Sequence, residues 1–188
     1  MPENTTQLKT PKIFGIGLQK TATSSLGAAL GILGYTVQGP LLIPDINEHH
    51  NPLPCVREAI STHDAFQDVP WDMIYKEVDA EYPGSKFILT VRDIESWCHS
   101  AKNMFDKNVH APMRIWIYGR EHFKRDVYIT KFYKHIGEVV HYFRFRPQDL
   151  LILDIVCGEG WNKLCAFLDV PVPNVLFPHL NKTKNWII

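Results

Sequence analysis

Short, uninterrupted apolar runs alternate along the chain with longer amphipathic stretches. Apolar runs without polar alternation indicate strands buried on both faces of a parallel sheet, and the stretches between them indicate covering helices. The pattern predicts strands over 12–17, 35–37, 65–68, 86–91 and 150–155. It predicts helices over 23–33, 55–61, 71–81, 93–104, 120–145 and 160–168, the fifth of them weakened near Gly137.

Strands separated by helices predict an α/β fold, with a central parallel sheet covered by helices on both faces. The length of 188 residues suits one domain over 12–188, after a loose, flexible tail over 1–11. Ligands of such sheets bind at the carboxyl ends of the strands. Three polar features are expected there: the loop after Gly17, Asp68 and Arg92.

Composition and charge exclude several classes of protein. Hydrophobic residues make up 45% and charged residues 21%, and 20 Lys and Arg balance 20 Asp and Glu. These values argue against a disordered chain, a coiled coil and a general binder of polyanions. The charge is uneven, because 45–95 holds 11 acids and 4 bases whereas 102–146 holds 10 bases and 4 acids. The basic segment is either a solvated helix face or a wall over an anionic ligand.

Targeting and metal-binding patterns are not found in the sequence. The first dozen residues lack the apolar centre of a signal peptide, and no apolar run approaches the ~20 residues of a membrane span. Cys55, Cys98, Cys157 and Cys165 form no CxxC pair, and the last three are expected in the core. We therefore expect a cytoplasmic protein with no metal, no nucleic-acid partner and no membrane partner. Its oligomeric state stays open, a homodimer included.

The segment between the first strand and the first helix is dense in hydroxyl groups and carries one lysine. A helix amino terminus presents unpaired N–H groups and a partial positive charge, which favours an anion. Lys20 adds a full charge, and Thr21, Thr23, Ser24 and Ser25 add donors. The alternative is a helix capped by Thr or Ser beside an exposed lysine. Lys20 follows Gly17 by three residues, which departs from the standard P-loop spacing of ATPases and GTPases.

Two segments together resemble a known family. Gly17-Leu-Gln-Lys-Thr-Ala-Thr-Ser-Ser-Leu resembles the 5′-phosphosulfate loop of sulfotransferases that use 3′-phosphoadenosine 5′-phosphosulfate (PAPS), with Gln19 and Ala22 where proline and glycine are usual. The stretch 87–100 resembles the family's 3′-phosphate segment, in which a strand-end arginine precedes a helical serine by eight residues, as Arg92 precedes Ser100. A weaker similarity to the short soluble branch of the family extends the match to about 12–182.

This resemblance implies a three-layer, P-loop-like α/β fold and an activity. The reaction would be in-line transfer of a sulfuryl group from PAPS to a hydroxyl or amine, giving 3′-phosphoadenosine 5′-phosphate (PAP) without a metal. Lys20 would lie by the bridging oxygen and stabilise charge on the leaving phosphate. The residues that would hold PAPS are Gln19, Lys20, Thr21, Ala22, Thr23, Ser24, Ser25, Arg92 and Ser100.

A general base must take the acceptor's proton. Cytosolic members of the resembled family place a histidine in a Thr-His-x-Pro segment, and Asp68 occupies that position in Gln67-Asp-Val-Pro. Asp68 is therefore the catalytic candidate, and the alternative is that it caps a helix beginning at Trp71. The rival bases are His63, Glu77 and His135.

The acceptor is less defined by the sequence, and we expect a small molecule or a carbohydrate. The segments 38–54 and 104–128 should frame its pocket, and 181–184 could add a 3′-phosphate contact. The aromatic residues that could form an apolar wall, or lie in the core instead, are Trp71, Phe105, Trp116, Tyr118 and Phe123. Two other functions stay open: a P-loop kinase for small molecules, and a nucleotide-binding relative without turnover.

Overall fold

A five-stranded parallel sheet organises the chain in the computed structural model, which describes residues 11–43, 46, 52–105 and 111–180. The strands are β1 (Ile13–Gly15), β2 (Val37–Gln38), β3 (Ala65–Gln67), β4 (Lys86–Thr90) and β5 (Leu150–Leu153). Their order in the sheet is β2-β3-β1-β4-β5, and every pair is parallel. The α/β prediction is confirmed.

Helices cover both faces of this sheet. They are α1 (Thr23–Ile32), α2 (Leu53–Thr62), α3 (Tyr75–Glu81), α4 (Ile94–Phe105), α5 (Ala111–Tyr118), α6 (Arg125–Phe143) and α7 (Trp161–Leu168), and a 3-10 turn spans Pro147–Asp149. Successive residues of β4 point to opposite faces, as a strand requires. Phe87 and Leu89 belong to the core under α2, α3, α4 and α6, whereas Ile88 belongs to the core under α1 and α7. The result is the predicted three-layer arrangement.

Several predicted boundaries were wrong. Helix α3 begins at Tyr75 rather than 71, because the N–H groups of Trp71 and Met73 bond to the carbonyls of Asp68 and Pro70 in tight turns. The segment 104–128 contains the separate helix α5, which the sequence reading had not distinguished. Helix α6 begins only at Arg125, and it runs through Gly137 without a break.

The remaining expectations about cores and termini have mixed outcomes. Cys98 and Cys165 are buried as expected. Cys157 is exposed, so the prediction that it lies in the core was wrong. The predicted tail, except Pro11, and the candidate contact at 181–184 lie outside the described residues. Within the part of the chain that the structure describes, every helix is too short or too polar to cross a bilayer.

Candidate active site

A cavity of about 870 Å³ opens at the carboxyl ends of β1, β3 and β4. The strand order changes direction around β1, and parallel sheets bind ligands at such a point. The cavity is lined by Asp68 and by eight of the nine predicted nucleotide-binding residues. The eight are Gln19, Lys20, Ala22, Thr23, Ser24, Ser25, Arg92 and Ser100. Thr21 is the exception. The topology therefore brings the loop after β1, the end of β3 and the end of β4 to one place.

The amino terminus of α1 faces this cavity without a side-chain cap. Ala22 is the N-cap residue, and no side chain accepts a hydrogen bond there. The N–H groups of Ser25 and Leu26 bond to the Ala22 carbonyl, whereas those of Thr23 and Ser24 have no backbone acceptor in the described chain. The alternative of a Thr- or Ser-capped helix was wrong. Unpaired N–H groups with the helix dipole behind them favour an anion.

The loop holds two residues with left-handed backbone. Lys20 has φ 71° and Ala22 has φ 74°, a region that costs a non-glycine residue roughly 1–2 kcal/mol. The resembled family usually has glycine at the position of Ala22, and the structure shows why glycine suits it. Strain of this kind persists where the surrounding contacts fix the backbone, often at functional sites.

Thr21 supports the loop instead of lining the cavity. It is 1% exposed, and its Oγ1 donates to the Leu18 carbonyl at 2.6 Å. A second hydrogen bond of 2.6 Å joins Thr21 Oγ1 to Thr90 Oγ1 at the end of β4. Because Thr21 donates its one hydroxyl proton to Leu18, Thr90 is the donor of this bond. Both hydroxyl partners of Thr21 are therefore protein groups, and its contact with the nucleotide stays a prediction for the backbone N–H rather than for the hydroxyl.

Gly17 is required by the close approach of the loop to β4. A Cβ there would lie 2.0 Å from Thr90 Oγ1 and 2.5 Å from the Thr90 carbonyl oxygen. We predict that Gly17→Ala lowers the free energy of unfolding by about 3 kcal/mol or more, because the backbone oxygen cannot move aside as a side chain can. Urea denaturation measures the change.

Gly31 provides the matched control for that substitution. It lies in α1, and a Cβ there meets nothing within 4 Å. Gly31→Ala should raise the free energy of unfolding by about 0.5–1 kcal/mol, because alanine is the better helix former. Equal stability of the two variants would contradict the crowding described at Gly17.

Gln19 connects the loop to three other elements. Its Oε1 accepts a hydrogen bond from the Tyr118 hydroxyl at 2.7 Å, and its Nε2 donates to Asp72 Oδ2 at 3.2 Å. Its backbone carbonyl accepts from Trp97 Nε1 at 2.8 Å. Gln19 replaces the family's usual proline, and the amide side chain ties the loop to α5 and to the turn before α3.

Arg92 lies at the end of β4, with its guanidinium half-buried beside the loop. Its Nε donates to Ser96 Oγ at 2.8 Å and its NH1 donates to the Lys20 carbonyl at 3.1 Å. The alternative of a salt bridge with Asp93 or Glu95 was wrong: Asp93 caps α4 through the Ser96 N–H, and Glu95 pairs with Arg125. Arg92 therefore keeps its positive charge directed toward the cavity.

Ser96 was missed by the sequence reading, although it lines the cavity. It lies one turn before Ser100 on α4, and Ser100 is 5% exposed. The i, i+4 spacing of Arg92, Ser96 and Ser100 is the signal that could have identified it.

Asp68 lies opposite Lys20 and accepts two hydrogen bonds. Thr23 Oγ1 donates to its Oδ2 at 2.6 Å, and the Val69 N–H donates to its Oδ1 at 2.9 Å. Burial raises the pKa of Asp68, and the bonds from Thr23 and Val69 and the charge of Lys20 oppose that rise. Burial and Arg92 lower the pKa of Lys20. Asp68 does not cap a helix at Trp71, so that alternative was wrong.

The three rival bases lie away from this group. His63, Glu77 and His135 do not line the cavity. His135 is 3% exposed and its Nε2 lies 2.7 Å from the Ile16 carbonyl, which accepts the hydrogen bond. Burial lowers the pKa of His135 to about 4, so the imidazole is neutral and structural.

The far side of the cavity is mostly apolar and comes from the end of α4, from α5 and from the segment after β2. Phe105 and Tyr118 line it as predicted, whereas Trp71 is fully buried in the core and Trp116 and Phe123 pack against that core. The predicted segments 38–54 and 104–128 also supply lining residues that the sequence analysis did not name individually: Pro40, Leu42, Met104, Met113, Arg114 and Ile117. His179 and Leu180 close another part of the rim, and the Leu180 N–H donates to Ser25 Oγ at 2.9 Å.

Comparison with known proteins identifies the family. A family model described as a sulfotransferase domain matches residues 12–127 and 116–186. The chain belongs to the sulfotransferase-domain family. A curated relative, the Ava biosynthesis cluster protein M of Aspergillus versicolor, is 29% identical over 215 residues, which cover 90% of this chain and 80% of that protein. The family resemblance carried by the two predicted motifs is confirmed.

A buried carboxyl group lies behind the site of this sulfotransferase-domain protein. Asp72 is 0% exposed, its Oδ2 accepts from Gln19, and its Oδ1 has no hydrogen-bond partner in the described chain. Burial and the neighbouring Asp68 raise the pKa of Asp72 well above its usual range. The folded protein therefore holds a proton on Asp72 at pH values where the unfolded chain has released it.

This shift predicts a pH-dependent effect of Asp72→Asn. Because the folded-state pKa is raised, the contribution of Asp72 to stability is complete below its unfolded pKa and is lost as pH rises through its folded pKa. Asparagine removes that loss and can still accept the bond from Gln19. We expect equal melting temperatures near about pH 4, and a variant at least a few degrees more stable near about pH 8. Parallel melting curves across this range would contradict the prediction.

Proposed function

We propose that this sulfotransferase-domain protein transfers a sulfuryl group from PAPS to a hydroxyl of a small-molecule acceptor, giving PAP. The observation that carries the proposal is the meeting of two cationic sites at one cavity. Lys20 and the uncapped end of α1 form the first site, and Arg92 with Ser96 and Ser100 forms the second. The Arg92–Lys20 hydrogen bond of 3.1 Å fixes the two sites relative to each other.

The donor groups suit a nucleotide with two separate phosphate groups. Unpaired N–H groups and a lysine suit a 5′-phosphosulfate, and a guanidinium beside two serines suits a 3′-phosphate, because arginine can grip phosphate with two donors. The 3′-phosphate is the group that distinguishes PAPS from adenylyl sulfate. PAPS, when bound, supplies an activated sulfuryl group for in-line displacement.

The protein's own residues would position and stabilise charge in this reaction, and their roles differ. Lys20 would donate to the phosphate oxygen that gains charge as the bond to sulfur breaks. Asp68 would accept the proton of the acceptor hydroxyl, and Thr23 would orient that carboxylate through its 2.6 Å hydrogen bond. Positioning is the main contribution that such displacements need from a protein.

The geometry gives no support to the kinase alternative. A P-loop kinase needs the hydroxyl after its lysine to bind magnesium. Here that hydroxyl belongs to Thr21, which is buried and bonded to Leu18 and Thr90.

Calorimetric titration with PAP tests the proposal, with AMP and magnesium–ATP as comparison ligands. We expect micromolar binding of PAP and binding of AMP weaker by at least about tenfold, because AMP lacks the 3′-phosphate. Arg92→Gln should remove the preference for PAP over AMP. Equal binding of PAP and AMP would contradict the proposal, and preference for magnesium–ATP would support a kinase. PAP binding without transfer from radiolabelled PAPS to any of a panel of phenols and alcohols would favour a nucleotide-binding relative without turnover.

A further inference from the structure

A third cation lies in the cavity, away from the two sites assigned to the nucleotide. Arg114, on α5, lines the cavity and is 5% exposed. Its NH1 donates to the Phe105 carbonyl at 2.5 Å, and its guanidinium carbon lies 5.8 Å from the centroid of the Phe105 ring. Its Nε is buried without a hydrogen-bond partner in the described chain. At least one donor of the buried guanidinium is thus unpaired.

The charges that line the cavity do not balance. Among the described lining residues, Lys20, Arg92 and Arg114 carry positive charge at neutral pH and Asp68 is the acid. No ion pair joins Arg114 to a described carboxylate. A buried charge without a counter-charge is costly, and that cost is recovered when a ligand supplies the opposite charge.

The surroundings of Arg114 place it with the acceptor rather than with the nucleotide. Met104, Phe105, Met113 and Ile117 line the same wall of the cavity. This wall is formed by the end of α4 and by α5, whereas the two nucleotide sites are formed by the loop after β1 and by the first two turns of α4. An apolar wall with one embedded cation suits an apolar molecule that carries one anionic group.

We infer that Arg114 binds a carboxylate of the acceptor, so that the acceptor is an amphipathic hydroxy acid with an apolar body between its hydroxyl and its carboxylate. The Nε–NH2 edge of a guanidinium presents two parallel donors, which match the two oxygens of a planar carboxylate. A neutral phenol or a neutral sugar could accept a hydrogen bond from one of these donors, but it would leave the positive charge of Arg114 without a counter-charge. The inference rests on the proposed function only where it calls the ligand the acceptor.

Two matched pairs of probes test this inference. They are 4-hydroxybenzoate with 4-hydroxybenzamide, and 3-(4-hydroxyphenyl)propanoate with its primary amide. Each acid and amide have nearly the same shape and differ in charge. Their dissociation constants are measured by calorimetry, both with and without saturating PAP. We expect at least one acid to bind at least about tenfold more tightly than its amide, the difference typical of a charged two-donor hydrogen bond.

Variants assign that preference to Arg114. Arg114→Gln should reduce the preference for the acid to about twofold or less, with affinity for the amide unchanged. Arg114→Lys keeps the charge and loses the paired donors, so it should weaken binding of the acid several-fold. If circular dichroism shows that Arg114→Gln is unfolded, Arg114→Lys replaces it in the test. Arg120→Gln is the matched control, because Arg120 is exposed just beyond α5, and it should retain the full preference.

Several outcomes would overturn the inference. Equal affinity for acids and amides, absence of binding by both acids, or a preference that survives in both Arg114 variants would each do so. A loss of PAP affinity of about tenfold in Arg114→Gln would also overturn it, because Arg114 would then contact the nucleotide. If PAP fails to bind the wild-type protein while the preference for acids persists and depends on Arg114, the carboxylate site stands and the proposed sulfotransferase reaction fails.

Discussion

Asp68→Asn should lower the turnover number for sulfuryl transfer by a factor of about 10²–10⁴, the range that a positioned general base contributes. Asparagine has nearly the same shape, and its Oδ1 can accept the bond from the Val69 N–H while its Nδ2 can donate to Thr23 Oγ1, so the geometry of the site should persist while its capacity to take a proton is lost. The dissociation constant of PAP should change little. Initial rates with labelled PAPS, together with a PAP titration, measure the two quantities separately.

The pH dependence of turnover checks the assignment of Asp68. The carboxylate acts as a base only when ionised, so the rate should rise with pH through the pKa of Asp68, which burial has raised. In Asp68→Asn, this rise of the rate with pH, the acid limb of the profile, should disappear. Glu77→Gln, at a rival base outside the cavity, should retain both the rate and the limb. A normal rate in Asp68→Asn would assign the base to another residue.

Lys20→Ala should lower the turnover number by a factor of about 10²–10³, because it removes the charge that, in the proposed reaction, would stabilise the leaving phosphate. Affinity for PAP should fall as well, since in the proposed reaction the same ammonium group would contact the 5′-phosphate of the product. The fold should be unaffected, because Lys20 is only half-buried and lines a cavity rather than the core. Alanine takes on the same left-handed backbone at this position.

A control variant and a pH profile check the prediction for Lys20→Ala. Lys134→Ala removes an exposed lysine on α6 and its 3.8 Å ion pair with Glu138, and it should leave turnover unchanged. In the wild-type protein, burial and Arg92 lower the pKa of Lys20. The loss of rate at high pH should therefore begin at a lower pH than it would for a lysine with the usual pKa. Undiminished transfer in Lys20→Ala would remove Lys20 from the mechanism.

The cavity residues that we assign to the nucleotide could be predicted to lie together from the sequence, because they are close together along the chain. The loop after β1 and the segment from Arg92 to Ser100 each form a strand, a turn and a helix, so spacing alone places their side chains at one end of the sheet. What spacing could not show is how hydroxyl groups are shared. The hydroxyl groups of Thr21 and Thr23 bond to Thr90, 69 positions away, and to Asp68, 45 positions away.

The proposed acceptor side was predicted only as two segments and a set of aromatic residues, because its detail depends on how separate helices meet. The short helix α5 has apolar residues on most of its circumference, so its pattern does not distinguish a cavity wall from a core. Arg114 appeared in the sequence as one of ten bases in a basic segment. Only the packing of α5 against the end of α4 turns this side chain toward the cavity, while exposed neighbours such as Arg120 face solvent.

The hydrogen bond from Tyr118 to Gln19 has a consequence for evolution and engineering. Tyr118 lies on the acceptor wall, and Gln19 lies in the loop that precedes Lys20, so a single 2.7 Å bond joins the part that would choose the acceptor to the part that would hold the donor. Exchange of α5 between relatives would leave Gln19 with an unpaired buried oxygen wherever the incoming helix lacks that hydroxyl. New acceptor preferences should therefore arise with paired changes at positions 19 and 118, rather than by transplanting the helix alone.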